Sequence, residues 1–269
     1  MTIYRVGDIV IRKSYGGDIL FRVVDIKANC DGSDCYVLRG LSARIEADSQ
    51  AEDLVVQDAQ DAYSRASKEL KLATVTIEST MPVFKSFLSR LKKRPGKILH
   101  LDSAQAFMDQ CLDFYKQSNI KCFGKLVSEN KQPSVIRQYL KTYNPDILVL
   151  TGHDGLKKGT QNIHSVENYA NSAYYIDAVK IARRFQPNPD KLCIFAGACQ
   201  SYYEAIMQAG ANFASSPKRV LINALDPAIV AQKVSITESS KVLTPKSVIS
   251  LTITGNSGIG GKDTRGQMK

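Results

Sequence analysis

Two apolar runs in this chain end in side chains that can break an amide bond. Asp146-Ile147-Leu148-Val149-Leu150-Thr151-Gly152 delivers His153, and Lys191-Leu192-Cys193-Ile194-Phe195-Ala196-Gly197-Ala198 delivers Cys199, 46 positions later. A thiolate attacks a carbonyl and an imidazole carries the proton to the leaving group, so the pair has the makings of an acyl-transfer centre. Small residues precede both side chains, which lets a substrate backbone come close. The segment CQSYYEAIMQAG predicts a helix opened by Cys199. Its N-terminal field would lower the thiol pKa, and its free N–H groups would hold an oxyanion.

The other reactive residue types read as structural. Cys193 lies inside a strand, and Cys111 and Cys122 fall in a helix and at a strand start. His100 reads as a core histidine and His164 as a surface one. Cys30 and Cys35 form a C-x4-C pair in a polar loop, but no second ligand pair repeats that spacing, so no metal site is expected. Residues 256–263 approach the phosphate-loop pattern, but Asn256 and Asp263 stand at its first and last positions and no helix can follow.

The elements that must hold these side chains follow from the pattern. Residues 1–58 contain short runs rich in Val, Ile, Leu and Phe, broken by Gly16-Gly17 and Asp31-Gly32-Ser33-Asp34, and predict a small SH3-like β-barrel. Residues 59–96 turn helical and basic, with Val83, Phe84, Phe87, Leu88 and Leu91 at helical spacing and Pro95-Gly96 as a stop, and form a connector. Residues 97–235 alternate strand and helix: KILHLD, a helix with Ser103 as N-cap, KCFGKLV, a helix, DILVLTG, a helix, KLCIFAG, a helix, and RVLINAL as a last strand. That is an α/β domain with a mostly parallel sheet, whose site lies at the carboxyl ends of its strands. Residues 236–269 read as a β- and Gly-rich tail with a flexible end.

The net charge is +10, from 36 Lys+Arg and 26 Asp+Glu. The first 60 residues are net acidic, so the barrel is a poor phosphate gripper and nucleic-acid binding is not the favoured reading. No apolar run approaches the roughly 20 residues of a membrane span, and no signal-peptide pattern opens the chain. The expectation is a protein that stays inside the cell that makes it.

Two apolar strands ending in His and in Ala-Cys, in that order, resemble the caspase-like (clan CD) cysteine peptidases, where the separation is about 50 residues. The chain as a whole resembles the YabG-type sporulation-specific peptidases. The resemblance runs from GDIVIRKSYGGDILFRVVDI through ILVLTGHDG and IHSVENYANSAYYIDAVKIAR to FAGACQSYYEAI and RVLINALDP, and covers residues 1–253. It implies a caspase-like α/β fold with Cys199 as nucleophile and His153 as acid/base, requiring no metal or cofactor. It implies protein substrates of the spore coat and cortex, cut after Arg or Lys. The implied location is the mother-cell cytoplasm, at the developing coat. Caspase-type enzymes place Gly directly after the histidine. Here Asp154 intervenes and Gly155 comes one place late, so the oxyanion donor is the Asp154 N–H or the loop is one residue longer. Arg-specific relatives carry an acid two residues before the cysteine, where this chain has Gly197. A carboxylate for a basic P1 side chain must then come from elsewhere, and Asp102 and Asp226 are the favoured donors. The basic run 90–94 becomes a candidate for self-cleavage within 91–95. The competing readings are a non-catalytic nucleic-acid- or protein-interaction module built on barrel and connector, and another thiol-dependent hydrolase such as an amidase.

Overall fold

The fold is that of a computed structural model, which describes residues 3–28, 34–80 and 93–269. The first five strands are β1 (Ile9–Arg12), β2 (Phe21–Ala28), β3 (Asp34–Gly40), β4 (Glu46–Gln50) and β5 (Leu54–Val56). They form one antiparallel sheet in the order β4-β3-β2-β1-β5. Alternation sets its faces: Phe21 and Val23 are buried, while Arg22 between them is exposed. Helix α1 (Ala59–Thr80) follows and lays Ala62 and Ala66 inward. The apolar stripe from Val83 to Leu91, and Arg90, Leu91 and Lys92 of the basic run, lie outside the described residues; Lys93 and Arg94 within it are exposed.

The second sheet has six strands. β6 (Ile98–Asp102), β7 (Cys122–Leu126), β8 (Ile147–Leu150), β9 (Cys193–Ala196) and β10 (Phe213–Ser215) run parallel, and β12 (Ile259–Gly261) closes one edge antiparallel to β10. The order is β12-β10-β9-β8-β6-β7. β6, β8 and β9 are buried along their whole length, as strands covered on both faces must be. One face carries Cys111, Phe114 and Tyr115 of α2 (Gln105–Gln117) with Ala228 to Val234 of α6 (Asp226–Ser235). That apolar cluster is continuous with Val10, Phe21, Val23, Tyr36 and Leu38 of the first sheet. The other face carries α3 (Gln132–Tyr143), α4 (Ser172–Phe185) and α5 (Tyr203–Gln208). Strand order reverses between β6 and β8, because β7 was laid on one side of β6 and β8 on the other. This is the position where open α/β sheets bind ligands.

Three expectations are corrected. The last parallel strand is Phe213–Ser215, not RVLINAL: Ser216 and Arg219 have positive φ, which ends the extended run, and residues 219–225 cross the sheet end as a loop. Residues 236–269 are not a loose tail. They form α7 (Pro245–Ile249), α8 (Gly255–Gly258), the edge strand β12, and a small ladder of β11 (Val242–Leu243) with β13 (Thr264–Arg265). Ser103 does not cap α2, whose N-cap is Ala104; its hydroxyl is used elsewhere.

Candidate active site

β6, β8 and β9 bring Asp102, His153 and Cys199 to one edge of the parallel sheet. Past β8, the chain turns through Gly152 and the His153 backbone N–H donates to Glu129 Oε1 at 2.7 Å. The same oxygen accepts from the Ser103 hydroxyl at 2.5 Å and lies 3.7 Å from His153 Nδ1. Ser103 Oγ is itself 3.3 Å from Nδ1, while Nε2 faces the Gly40 carbonyl at 3.4 Å. The imidazole is thus held from one side by Glu129 and Ser103, with the Phe107 ring 5.6 Å from its own. Burial pushes the Glu129 carboxyl up, but the hydrogen bond from His153 and the Arg39 guanidinium outweigh it and hold its pKa at about 2. Arg39 Nη2 reaches Glu129 Oε2 at 3.1 Å from β3.

Asp154 uses both ends. Its buried carboxylate accepts from Gly155 N (2.9 Å), Asn171 N (2.7 Å), Ser172 Oγ (2.5 Å) and Ser201 Oγ (2.8 Å). Ser201 Oγ in turn accepts from Ala198 N at 2.9 Å, so this one side chain ties the histidine loop to the cysteine loop. Burial raises its pKa to about 6. The Asp154 backbone N–H points into the site and donates to the Arg44 carbonyl at 3.2 Å.

Past β9, Gly197 takes φ +111, and a Cβ there would collide with the Ser215 hydroxyl, so only glycine turns the chain into Cys199. Cys199 does not open a helix as expected. Gln200 adopts a left-handed φ of 54°, and α5 starts only at Tyr203. The thiol is fully buried and accepts from Ile222 N at 3.3 Å. Burial pushes its pKa up to about 12, against the opposing pull of the Ile222 N–H and of Arg44.

The residue that organises this edge comes from the first sheet. Arg44, in the five-residue loop between β3 and β4, is fully buried. Its carbonyl oxygen accepts from Cys199 N and from Asp154 N, each at 3.2 Å. Its guanidinium pairs through Nη1 with Asp102 Oδ2, donates through Nη2 to the Ala224 carbonyl at 3.2 Å, and stacks 4.5 Å from the centre of the Phe107 ring. Asp102 also accepts from Thr151 Oγ1 (2.7 Å) and Ala104 N (2.9 Å). Burial would raise its pKa, but the charge of Arg44 leads the groups that hold it below the ordinary carboxylate value. Downstream of Arg44, Ile45 bridges Asp154 and Glu46 N donates to Asp154 O at 2.7 Å. Gly155 lies so close to this strand that a Cβ would collide with the Glu46 carbonyl.

Of the remaining candidates, Gly155 offers its N–H to the Asp154 carboxylate rather than to Arg44. Asp226 is also drawn away from the arginine. It accepts from Ile253 N (2.7 Å), Thr254 N (3.2 Å), Asn223 N (3.2 Å) and the Thr254 hydroxyl, which closes a turn at the start of α6. His100 is a satisfied core histidine, 3.1 Å from Tyr115 OH and 2.8 Å from Thr151 Oγ1. A cavity of about 1000 Å³ lies between the first sheet, α1 and α2, with His153, Ser103 and Phe107 in its wall. Sequence reading missed Arg44, Ser103 and Glu129 as members of this cluster.

A family model described as YabG peptidase U57 matches residues 5–269. A sporulation-specific protease YabG from Bacillus subtilis (strain 168) is 36% identical over 282 residues, covering 99% of this chain and 97% of that protein. Among solved structures, two of a 2-hydroxyisobutyryl-CoA ligase align with half of this chain. They share 17% identity, with TM-scores of 0.29 and 0.26 and 28% and 29% of those chains covered, which is too loose a likeness to carry an argument.

Proposed function

The chain belongs to the YabG peptidase U57 family, and from that premise we propose that it is a cysteine endopeptidase that cuts after arginine or lysine. Its substrates in this reading are proteins of the spore coat and cortex, which accords with a sporulation-specific relative of nearly full length. The observation that supports it is the seat of Arg44. Two backbone N–H groups converge on one carbonyl oxygen at the Cys199 loop, while a buried carboxylate, Asp102, receives the guanidinium of the same residue. Those are the two needs of a peptidase selective for a basic P1 side chain: an oxyanion hole and a desolvated acid.

In this mechanism the Cys199 sulfur attacks the carbonyl carbon of the P1 residue. The developing oxyanion sits between the Cys199 and Asp154 N–H groups. His153 protonates the leaving amine and later draws a proton from the water that opens the thioester. Glu129 and Ser103 fix the imidazole from behind. The folding of the first sheet as an SH3-like barrel and of the second domain as a caspase-like one belongs to the same reading.

The test is a panel of peptides differing only at P1, with wild type, Cys199→Ser, His153→Ala and Asp102→Asn. Wild type is expected to cut after Arg and Lys, and the first two variants to lose at least ~10³-fold, as loss of a nucleophile or its base does. Asp102→Asn is expected to lose preference for a basic P1. Undiminished cleavage by Cys199→Ser would refute the assignment of the nucleophile.

A further inference from the structure

The β3–β4 loop enters the proposed active site as a substrate would, and its arginine is poorly explained as a permanent structural pair. Arg44 is wholly buried, yet its Nε finds no hydrogen-bond partner among the described residues. Buried guanidinium groups kept only for stability are normally satisfied throughout, and an isolated buried ion pair contributes little to stability on its own. Its carbonyl is held by the two N–H groups of the proposed oxyanion hole, one of them from Cys199 itself. The residue after it runs along the histidine loop, with the Ile45–Asp154 bridge and the Glu46 N to Asp154 O bond continuing in the direction a cleaved product would leave. The loop is short and anchored at both ends, by Leu41 N to Leu20 O at 2.9 Å and Gly40 N to Ile45 O at 3.0 Å.

We propose that the Arg44–Ile45 peptide bond is this enzyme's own first substrate, seated in cis, and that Arg44 blocks the site against other proteins until that bond is cut. The proposal rests on the peptidase reading above. The Cys199 sulfur forms a thioester with the Arg44 carbonyl carbon as the C–N bond to Ile45 breaks. The thiol proton passes through His153 to the departing Ile45 nitrogen. Water then hydrolyses the thioester, leaving an Arg44 carboxylate and the free thiol. The cut breaks the covalent link that holds Arg44 to Ile45 and the β4 end of the loop, so Arg44 can leave Asp102 and the pocket opens. This bond, and not the basic run at 91–95, is then the primary self-cleavage site.

The experiment follows freshly purified full-length chain by intact mass and N-terminal sequencing while an arginyl peptide substrate is present. The expected result is a new N-terminus at Ile45, appearing at a rate independent of protein concentration and absent in Cys199→Ser. Peptide hydrolysis should show a lag that ends as the chain is cut. The cut form should be at least ~10-fold faster than the uncut form, since a site open a tenth of the time binds ten times more weakly. Arg44→Ala should stay uncut at this bond and show no lag; if that variant does not fold, the wild-type time course decides. Wild type that hydrolyses the peptide from the first moment while residues 44–45 stay joined overturns the proposal and leaves the peptidase reading intact. So does scission that proceeds only between molecules, with added wild type cutting Cys199→Ser chain as fast as itself. A chain that cuts neither peptide nor itself overturns both.

Discussion

Glu129 shows what a single buried carboxylate can do at this site. It holds the backbone N–H of His153, the Ser103 hydroxyl and Arg39 together, and its pKa is kept at about 2 against an ordinary value of 4.5. A folded-state pKa below the unfolded one means stability that is present above about pH 4.5 and lost as pH falls through about 2. The difference corresponds to about 3 kcal/mol. Urea unfolding between pH 2 and 5 is therefore expected to show a steeper loss of stability on acidification for wild type than for Glu129→Gln. Equal slopes would show that Glu129 is not held in its charged form. Asp154 acts with the opposite sign: its pKa is raised to about 6, so its contribution is complete below about pH 3.8 and declines as pH rises through 6. If Glu129 positions His153, Glu129→Gln should also lower kcat by ~10-fold or more with KM little changed. A change confined to KM would place it in substrate binding instead.

At the scale of elements, the parts legible in the sequence were those whose signal is local. β6, β8 and β9 are apolar throughout because both faces are covered, and each ends in a residue that breaks the pattern: Asp102, Thr151-Gly152 before His153, and Gly197-Ala198 before Cys199. What was not legible depends on contact between distant segments. Arg44 sits in LSARIE, which reads as the polar side of a strand, and Glu129 sits in SENKQ, which reads as a solvated turn; only docking of the two sheets buries them. RVLINAL carries a strand's composition, but Phe213–Ser215 reaches β9 first, with Asn212 N on Ile194 O at 2.8 Å. The docking of the sheets has its own test at Gly155, where the backbone meets the Glu46 carbonyl of β4. Gly155→Ala is expected to force the two elements apart and to cost about 2 kcal/mol or more, read by chemical denaturation. Since Glu46 follows the Arg44 loop, the same variant should also loosen that loop, seen as faster alkylation of Cys199. A variant as stable as wild type would mean that β4 adjusts freely.

For the whole molecule, the question is what joins the end of the chain to its beginning. The last residues strap the parallel sheet to the segment that enters it. Lys269 and Arg94 exchange backbone hydrogen bonds at 2.6 and 2.9 Å, Gln267 N donates to Val234 O at 2.9 Å, and Met268 N donates to Thr237 O at 2.8 Å. Met268 is 4% exposed, and Gly96 packs against the Gln267 backbone and side chain. The strap lies next to β6, the strand that ends in Asp102, and its Lys269 ammonium meets Asp146 just before β8 at 2.5 Å. The Lys269 side chain is 68% exposed, so this ion pair adds little on its own. Burying one methionine and closing these four backbone hydrogen bonds should stabilise the fold by about 3 kcal/mol or more. Deleting residues 267–269 is accordingly expected to lower Tm by several degrees, about 2–4 °C per kcal/mol for a domain of this size. Hydrogen exchange should rise in β6 and β8 while β1 to β5 are spared, because the first sheet makes none of these bonds. A deletion that left Tm unchanged would mean that the end of the chain is a free tail after all, and that the parallel sheet holds Asp102 and His153 in place without it.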